Sequence, residues 1–450
     1  MMNKLGLVLA LGCLVSGCSI ESAVDVDDPQ VGREIDNREL TTRSGALSVY
    51  SRAVGMLQDG VSQTSERVGL FTDELTNVPN DGLWLLGDAR RESYRSDLTK
   101  GIEFEAGYTT LHGARVHARQ ARDILRKLND ASLTALIAGS YAIEGYAILL
   151  LAEDHCSGVP LTEVPFEGDI VYGDGLSTEQ LFTVAVAKFD SALAVSHDSA
   201  SIITLARIGK GRASLGLGNY EQAARAVADV AAADVFYLDY SQNLPPTPSP
   251  IPLFWTGGTY NHNLKAQLVE ITNTEGVNGL TWFRDPTTVD PRVPVTTTIV
   301  NDAPAFPAQV RQLKFTGGTL RFPLARWIEA QMIRAEYALQ QGDAGWITPI
   351  NDARATLGLG PLTDPVARDA RVTLLFQERA FWFYLEGVRL ADYRRLVRQY
   401  RRSPHSVYPI GPYTRSRGDV PFYGEAWVFI TPLTEDTRNF RYDGCIHTQP

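Results

Sequence analysis

The chain has 450 residues, 44% hydrophobic and 21% charged, with 42 basic against 52 acidic side chains for a net charge of −10. That balance excludes a disordered chain, and an acidic sequence with no long basic run excludes nucleic acid as the main partner. The length is about three ordinary domains' worth, or one helical-repeat body, and it can bury a core without help from metal or disulfide.

Lys4 gives a positive start, Leu5 to Leu14 is a short apolar run, and Val15-Ser16-Gly17-Cys18 follows. The run is too short to span a membrane and predicts a cleaved secretion signal over residues 1–17. Small residues ahead of a cysteine at the cut resemble a lipobox, the bacterial lipoprotein signature. That implies lipidation of Cys18, with a diacylglycerol on the thiol and a further acyl chain such as palmitate on the amine. At about 0.8 kcal/mol per buried methylene, several chains make a stable anchor. The alternative is an ordinary signal peptide that happens to contain a cysteine. Ser19, where Asp would favour retention at the inner membrane, predicts the outer membrane. Residues 18–40, with Asp25, Asp27, Asp28 and Pro29, read as a flexible tether. No later stretch approaches ~18 continuous apolar residues, which predicts a soluble body over 41–450. Cys13 leaves with the signal, so Cys156 and Cys445 remain in a compartment that permits disulfides. They either bridge, tying the chain end to its first third, or stand as two separate buried thiols.

From about 41 to 235 the pattern is helical. Leu111, Ala114, Ala118, Ala121, Leu125 and Leu128 alternate steps of 3 and 4 on one helix face. The opposite face carries Arg115, Arg119, Arg122 and Arg126, which reads as a solvated row. A second helix runs from about Leu133 to Glu153, with Leu136, Ser140, Ala147 and Leu151 inward, and Gly158-Val159-Pro160 stops it. Ser177 or Thr178 caps the next helix, with Glu179 favourable at the positive end of its dipole. Residues 203–232 form a helix pair with small residues at the crossing (Ala206, Gly211, Ala213, Gly218, Ala223, Ala224) and a turn at Gly218-Asn219-Tyr220. The offsets of Gly211, Gly218, Tyr220 and Ala223 resemble a tetratricopeptide repeat, and Ala330 to Gly342 with Ile347 to Leu357 resembles a second copy.

Between the copies lies a loop-rich insertion over 236–320. Five prolines fall between Leu244 and Pro252, Gly257-Gly258 and Gly317-Gly318 follow, and Val295 to Val300 is β-branched. Proline blocks helix and glycine serves turns, so the insertion reads as loops and short β-hairpins. Helix is predicted again over 322–342, 346–358 and 366–400, and the tail from 403 reads as loop. The fold class is therefore mainly α, a tetratricopeptide-like helical repeat scaffold with an inserted loop and hairpin region.

Catalytic constellations are sparse. Gly209-Lys210-Gly211 lies inside a helical pattern and lacks the hydroxyl of a phosphate loop. No Gly-x-Ser-x-Gly elbow occurs. His112 and His117, five apart, point to different helix faces and disfavour shared metal ligation. Asp154-His155-Cys156 offers a thiolate or metal role only with a partner that the sequence does not show. Plentiful carboxylates in an acidic chain decide nothing about glycosidase chemistry. No metal site and no cofactor is expected.

The informative segment is Leu374 to Leu396, which contains Glu378-Arg379, then Glu386-Gly387-x-Arg389, then Asp392 followed by Arg394 and Arg395. This order and spacing resembles the C-terminal signature of the SusD/RagB family of outer-membrane nutrient-binding lipoproteins. Trp382 departs from the pattern, standing where the family usually has a second Glu. Arg326 to Gly342, with Glu329, Arg334, Ala335 and Glu336, resembles the preceding family helix. Ile350-Asn351-x-x-Arg354 to Gly358-Leu359, Gly158-Val159-Pro160-Leu161, and Ile430-x-Pro432 with Glu435 and Asn439 resemble further family segments. The match is good over roughly 320–440, loose over 130–235 and says little about 236–320. Residues 321–450 thus read as the signature region. Glu378, Arg379, Glu386, Arg389 and Asp392 are expected on one helix, half-buried and paired as scaffold, with Gly387 allowing close helix approach.

The resemblance implies a non-enzymatic surface lipoprotein that captures an oligosaccharide or peptide and delivers it to a SusC-like TonB-dependent transporter. Rigid repeats would supply the frame and inserted loops the ligand site. Sugar faces stack on exposed aromatics while Asn, Asp and Arg bond hydroxyls, so the ligand-binding candidates are loop aromatics and their neighbours: Trp84 with Asp81, Trp255, Tyr260 with Asn261, and Trp282 with Arg284. Trp327, Trp346 and Trp382 lie on helical patterns and read as core. The rival readings are a surface-anchored glycan hydrolase and a purely structural lipoprotein subunit of a membrane complex.

Overall fold

The computed structural model describes residues 42–75, 87–91, 101–166, 168–196, 199–241, 290–299, 308–315, 319–413, 421–432, 435 and 438–450. The expected signal, Cys18 and the tether lie outside them. Helix α1 (Arg43–Phe71) opens at Thr42, whose hydroxyl accepts from the Gly45 N–H at 3.1 Å. Helix α2 (Gly101–Lys127) lies between α1 and α3 (Thr134–Asp154). Its predicted inner face is buried: Leu111, Ala114, Ala118, Ala121 and Leu125 have no exposed surface. The arginine row opposite is not the solvated face that periodicity suggests. Arg115 and Arg122 are buried, because α3 and the segment after it cover that side. Arg122 donates to Glu144 on α3 at 2.5 Å, and Arg115 donates to the Thr162 carbonyl. Arg119 and Arg126 keep contact with water.

Helix α3 is central. Helices α2, α4 (Thr178–Val195) and α5 (Ala200–Gly216) surround it, and every residue from Ala142 to Asp154 is buried. An inner face of four residues therefore understates it: a helix covered on all sides has no polar face to show a period. Its apolar stretch, with mean hydropathy 1.7, is long and apolar enough to cross a membrane, yet 78% of that stretch is covered by this protein's own helices. Two of its three carboxylates are paired, Glu144 with Arg122 and Lys188, and Glu153 with Arg212, while Asp154 at its end is buried with no hydrogen-bond partner.

Helix α4 begins with Ser177, whose hydroxyl accepts from the Gln180 N–H while the Gln180 side chain returns to the Ser177 N–H, a complete capping box. Helices α5 and α6 (Tyr220–Ala226) form the predicted pair, turning at Gly218. A Cβ on Gly211 would stand 2.8 Å from Val227 and 3.0 Å from Ile333, so only glycine permits this crossing. The second pair is α7 (Trp327–Gln340) and α8 (Thr348–Ala355), and α7 packs on α6. One core cluster fills the space around α2 to α5; a second, with the fully buried Trp346, fills that around α7 and the helices after it.

The predicted helix over 366–400 is two helices, α9 (Arg368–Trp382) and α10 (Arg389–Arg398), followed by the short α11 (Pro404–Val407). The break lies at Leu385 and Gly387, both with positive φ, 57° and 72°. Gly387 thus does more than admit a neighbouring helix: it closes a left-handed turn whose side faces Ser65 of α1, 3.1 Å from where a Cβ would stand.

Four of the strands organise the insertion. Strand β3 (Val235–Ser241) pairs antiparallel with β6 (Thr319–Arg326), with a bulge at Phe236/Tyr237, and β4 (Val295–Ile299) pairs with β5 (Ala308–Gln312). The β-branched run is thus a hairpin strand, as its composition suggests. The β3–β6 ribbon, longer than a simple hairpin, brings both ends of the insertion together. A small pair, β1 (Val159–Pro160) with β2 (Gly175–Leu176), follows α3. The tail is irregular beyond α11, and it is tied to the end of α3 by a bond between the Cys156 and Cys445 sulfurs, 2.08 Å apart, and by backbone pairing of Ser157 with His447. Closing a loop of 289 residues strongly restricts the unfolded chain. The double variant Cys156→Ser/Cys445→Ser is expected to lose about 2–4 kcal/mol in urea denaturation, with amide exchange accelerating first in the tail.

Candidate functional site

The signature residues meet around the turn from Phe383 to Val388, and most of their charges are buried. Glu378 on α9 accepts from Arg292 at 2.5 Å and from Arg354 of α8 at 2.7 Å. Arg379 sends its Nε to both oxygens of Asp392 on α10, at 3.0 and 2.8 Å. Arg395 pairs with Glu336 of α7 and lies 3.5 Å from Asp392. Burial works against the charge on Arg395, but Glu336 and Asp392 outweigh it and its pKa is raised. Glu386, in the turn, takes Lys314 at 2.8 Å and Arg326 at 2.6 Å. Arg389 donates to the Tyr393 hydroxyl, which in turn donates to the Thr72 carbonyl at the end of α1. The signature therefore spans two helices and the turn between them, rather than the single helix expected.

Two other arginines cap helix ends. Arg394 donates to the carbonyls of Ala152, Glu153 and His155, closing the C-terminus of α3, and Arg334 does the same for Val227, Ala228 and Val230 after α6. A carbonyl cluster at a helix C-terminus carries partial negative charge, so a guanidinium fork satisfies three acceptors at once. Trp382, the departure from the family pattern, is buried and packs its ring 5.2 Å from the Arg292 guanidinium. An aromatic face there takes the cation where a carboxylate would otherwise stand.

This cluster fixes the roots of the segments that carry the candidate ligand residues. Lys314, just after β5, bonds the carbonyls of Trp382 and Tyr384 as well as Glu386. Arg292, before β4, is held by Glu378 and by Asp290. Glu74 closes the segment after α1. It is fully buried, and burial pushes its pKa up to about 7 against the pull of Arg389, Lys314 and the Leu385 backbone. Arg90, on the far side of the next stretch, is clamped by the carbonyls of Ala426, Pro409 and Gly424 and lies over the rings of Trp427 and Tyr408. Three chain segments are thus rooted in the turn or in elements touching it.

Asp81, Trp84, Trp255, Tyr260, Asn261, Trp282 and Arg284 lie outside the described residues, as does Cys18. Trp346 and Trp382 are core, as their helical pattern suggests, and Trp327 is half-buried at the start of α7. The Asp154-His155-Cys156 cluster is buried. Cys156 is bonded to Cys445, burial pushes the Asp154 carboxyl well above the usual carboxylate range, and burial holds His155 down at about 3. Among the described residues no group of three or more His, Cys, Asp or Glu could hold a metal ion. Sequence reasoning missed Lys314, Arg292, Glu74 and Arg212. Their partners lie 59 to 315 positions away in the chain (Glu378, Glu386, Arg389 and Glu153), so no local spacing marks them.

No family model matches the sequence, and no curated protein matches it. Solved structures do. A SusD-like protein of Bacteroides fragilis NCTC 9343 superposes with a TM-score of 0.62 at 11% identity, covering 91% of this chain and 98% of its own. A SusD-like carbohydrate binding protein of Bacteroides vulgatus ATCC 8482 gives 0.62 at 13% identity, over 89% and 97%. Surface glycan-binding protein A of Bacteroides thetaiotaomicron, solved in complex with laminarihexaose, gives 0.60 at 13% identity, over 90% and 100%. The chain has the SusD-like fold, a helical tetratricopeptide-like architecture, consistent with the SusD/RagB resemblance of its signature.

Two outcomes follow from the charge arrangement. Glu378→Gln leaves the buried Arg292 with Asp290 alone and the half-buried Arg354 with no carboxylate, and is expected to cost about 3 kcal/mol in chemical denaturation. Glu329, fully buried near Arg212 and Arg379, has its carboxyl pushed up by burial to about 7 from 4.5. The folded chain then holds a proton that the unfolded chain releases, so stability present below pH 4.5 is lost as pH rises to 7. Glu329→Gln is expected to match the wild type near pH 5 and to gain on it above, by about 1.4 kcal/mol per pH unit up to pH 7. Parallel melting curves of the two proteins isolate this carboxyl from the opposing slopes of His112 and His155, whose pKa values burial lowers.

Proposed function

We propose that the chain is a SusD/RagB-family surface lipoprotein that captures a glycan and hands it to a SusC-like TonB-dependent outer-membrane transporter, with no catalysis of its own. The observation that carries this reading is the SusD-like fold over about nine-tenths of the chain, shared with proteins named for surface glycan binding. Three independent features support it. The lipobox at Cys18 would hold the mature chain on the outer membrane. The C-terminal signature has the family's order and its charges pair internally, which leaves it a framework role. The frame also holds fixed the roots of segments rich in aromatics, an arrangement suited to a ligand site built on loops.

In this reading Trp84, Trp255, Tyr260 and Trp282 offer ring faces to sugars, and Asp81, Asn261 and Arg284 bond their hydroxyls. The energised step belongs to the barrel, so the lipoprotein needs selectivity and fast release rather than turnover. A peptide cargo would use the same loops through backbone hydrogen bonds. A glycan and peptide array defines the ligand, and calorimetry on the best binder follows. The triple variant Trp84→Ala/Trp255→Ala/Trp282→Ala is expected to weaken binding at least tenfold, about 1.4 kcal/mol, with its melting temperature unchanged. Native extraction from the outer membrane is expected to bring a β-barrel partner along. Unchanged affinity in the triple variant sinks the loop site, and products released from the ligand sink the binding-only reading.

A further inference from the structure

The most exposed large apolar side chain among the described residues is Phe440, at 81%. It is not frayed. Asn439, buried, donates to the Gly173 carbonyl at 3.0 Å and to Glu435 at 3.2 Å, and its own oxygen accepts the Arg441 N–H at 3.1 Å. Arg441 makes a two-pronged pair with Asp174, at 2.7 and 3.0 Å, and Tyr442 is buried with its hydroxyl on Thr431. Asn439 and Tyr442 are fixed inward and Arg441 is held by Asp174, while the Phe440 ring is turned to water. The Tyr172 ring stands 5.2 Å away at 64°, so the two rings form a corner, and the Asp174–Arg441 pair stands at its edge.

We propose that Phe440, Tyr172, Asp174 and Arg441 form a second glycan platform that takes one pyranose ring of an oligosaccharide. The C–H face of a pyranose stacks on an exposed aromatic ring, and a second ring set across it limits how the sugar can turn. Asp174 accepts from a hydroxyl and Arg441 donates to one, while their mutual pair holds both in place. A protein partner covering Phe440 would also bury this pair, at a desolvation cost that a hydroxyl-bearing ligand avoids. The platform is carried by the β1–β2 connection and by the end of the tail that the Cys156–Cys445 bond ties down, beyond the Gly424–Ala426 stretch that clamps Arg90. Two sites on one chain that a single ligand can span would raise avidity for a long polysaccharide without tightening either site for a short one. The ligand class rests on the glycan reading above; the site itself rests on the geometry of these four residues.

The test places a reporter at the ring. Phe440→Trp, in the detergent-solubilised full chain, keeps the platform, and its emission is read as a difference from the wild-type chain, which has seven tryptophans. Laminarihexaose and matched xylo-, manno- and galacto-hexaoses are titrated. The expected result is a saturable change for at least one of them that weakens about tenfold when Tyr172→Ala is added and persists in the Trp84→Ala/Trp255→Ala/Trp282→Ala background. A silent reporter, in a chain that calorimetry shows to bind one of these sugars, overturns the platform and leaves the main reading intact. A silent reporter with no binding by the wild type overturns both. A silent reporter with Phe440→Ala abolishing co-extraction of a barrel assigns the ring to a protein contact and overturns the platform as well.

Discussion

The fold depends on charge buried in one place. Around the turn from Phe383 to Val388, carboxylates of α7, α9, α10 and the turn itself meet guanidinium and ammonium groups from β6, α8, α9, α10 and the segments flanking the β4–β5 hairpin. Each such group taken alone would be expelled from the interior, because removing a charge from water costs far more than any one contact returns. Only the assembled set is tolerable. A shift of α9 by one residue would move Glu378 and Arg379 off their partners together, so the network specifies register more than it adds stability. Apolar packing of similar volume would hold the helices as well, but it would accept several arrangements.

The same constraint explains which parts of the sequence can be read. Periodicity finds α2 and the pairs around Gly218 and Gly342 because apolar and small residues recur at helical spacing on an element with one wet side. It fails on α3, where Ala142 to Asp154 are buried all round and no period remains. It misplaces Arg115 and Arg122 because a row of arginines looks solvated when the carbonyl and carboxylate that take them are not in the same window. It runs α9 and α10 together because Glu386 and Leu385 are acceptable helix residues. Only the left-handed backbone at Gly387 and the pull of Lys314 and Arg326 on Glu386 make the turn, and both partners lie more than fifty positions upstream. For the candidate site, the signature motif was legible as a pattern; its long-range partners were not, since an ion pair across 72 residues leaves no local trace.

Structural likeness at 11–14% identity follows from this division of labour. A frame of helices needs small residues at crossings, apolar residues on buried faces and a handful of ions at one turn; most other positions are free. The segments between are fixed at their ends. Leu75 is fixed by its N–H on the Gly69 carbonyl, Lys314 by the turn, and Ser241 by the β3–β6 ribbon. The closure entropy of a longer segment grows only slowly, so length between fixed ends costs little.

That separation has a consequence for how such a chain can gain binding surface. A segment rooted in the charged turn shares its pH response: Glu74 sits at the base of one such segment with its carboxyl pushed up by burial to about 7, so the root itself titrates. A ring such as Phe440 is held instead by the amide contacts of Asn439, an exposed ion pair and a covalent staple. Two surfaces held by different contacts can change separately. A mutation in the turn acts first on the segments rooted there, whereas loss of the staple acts first on the tail, part of which also clamps Arg90. The chain therefore has two places to present an aromatic face, each held by its own set of contacts.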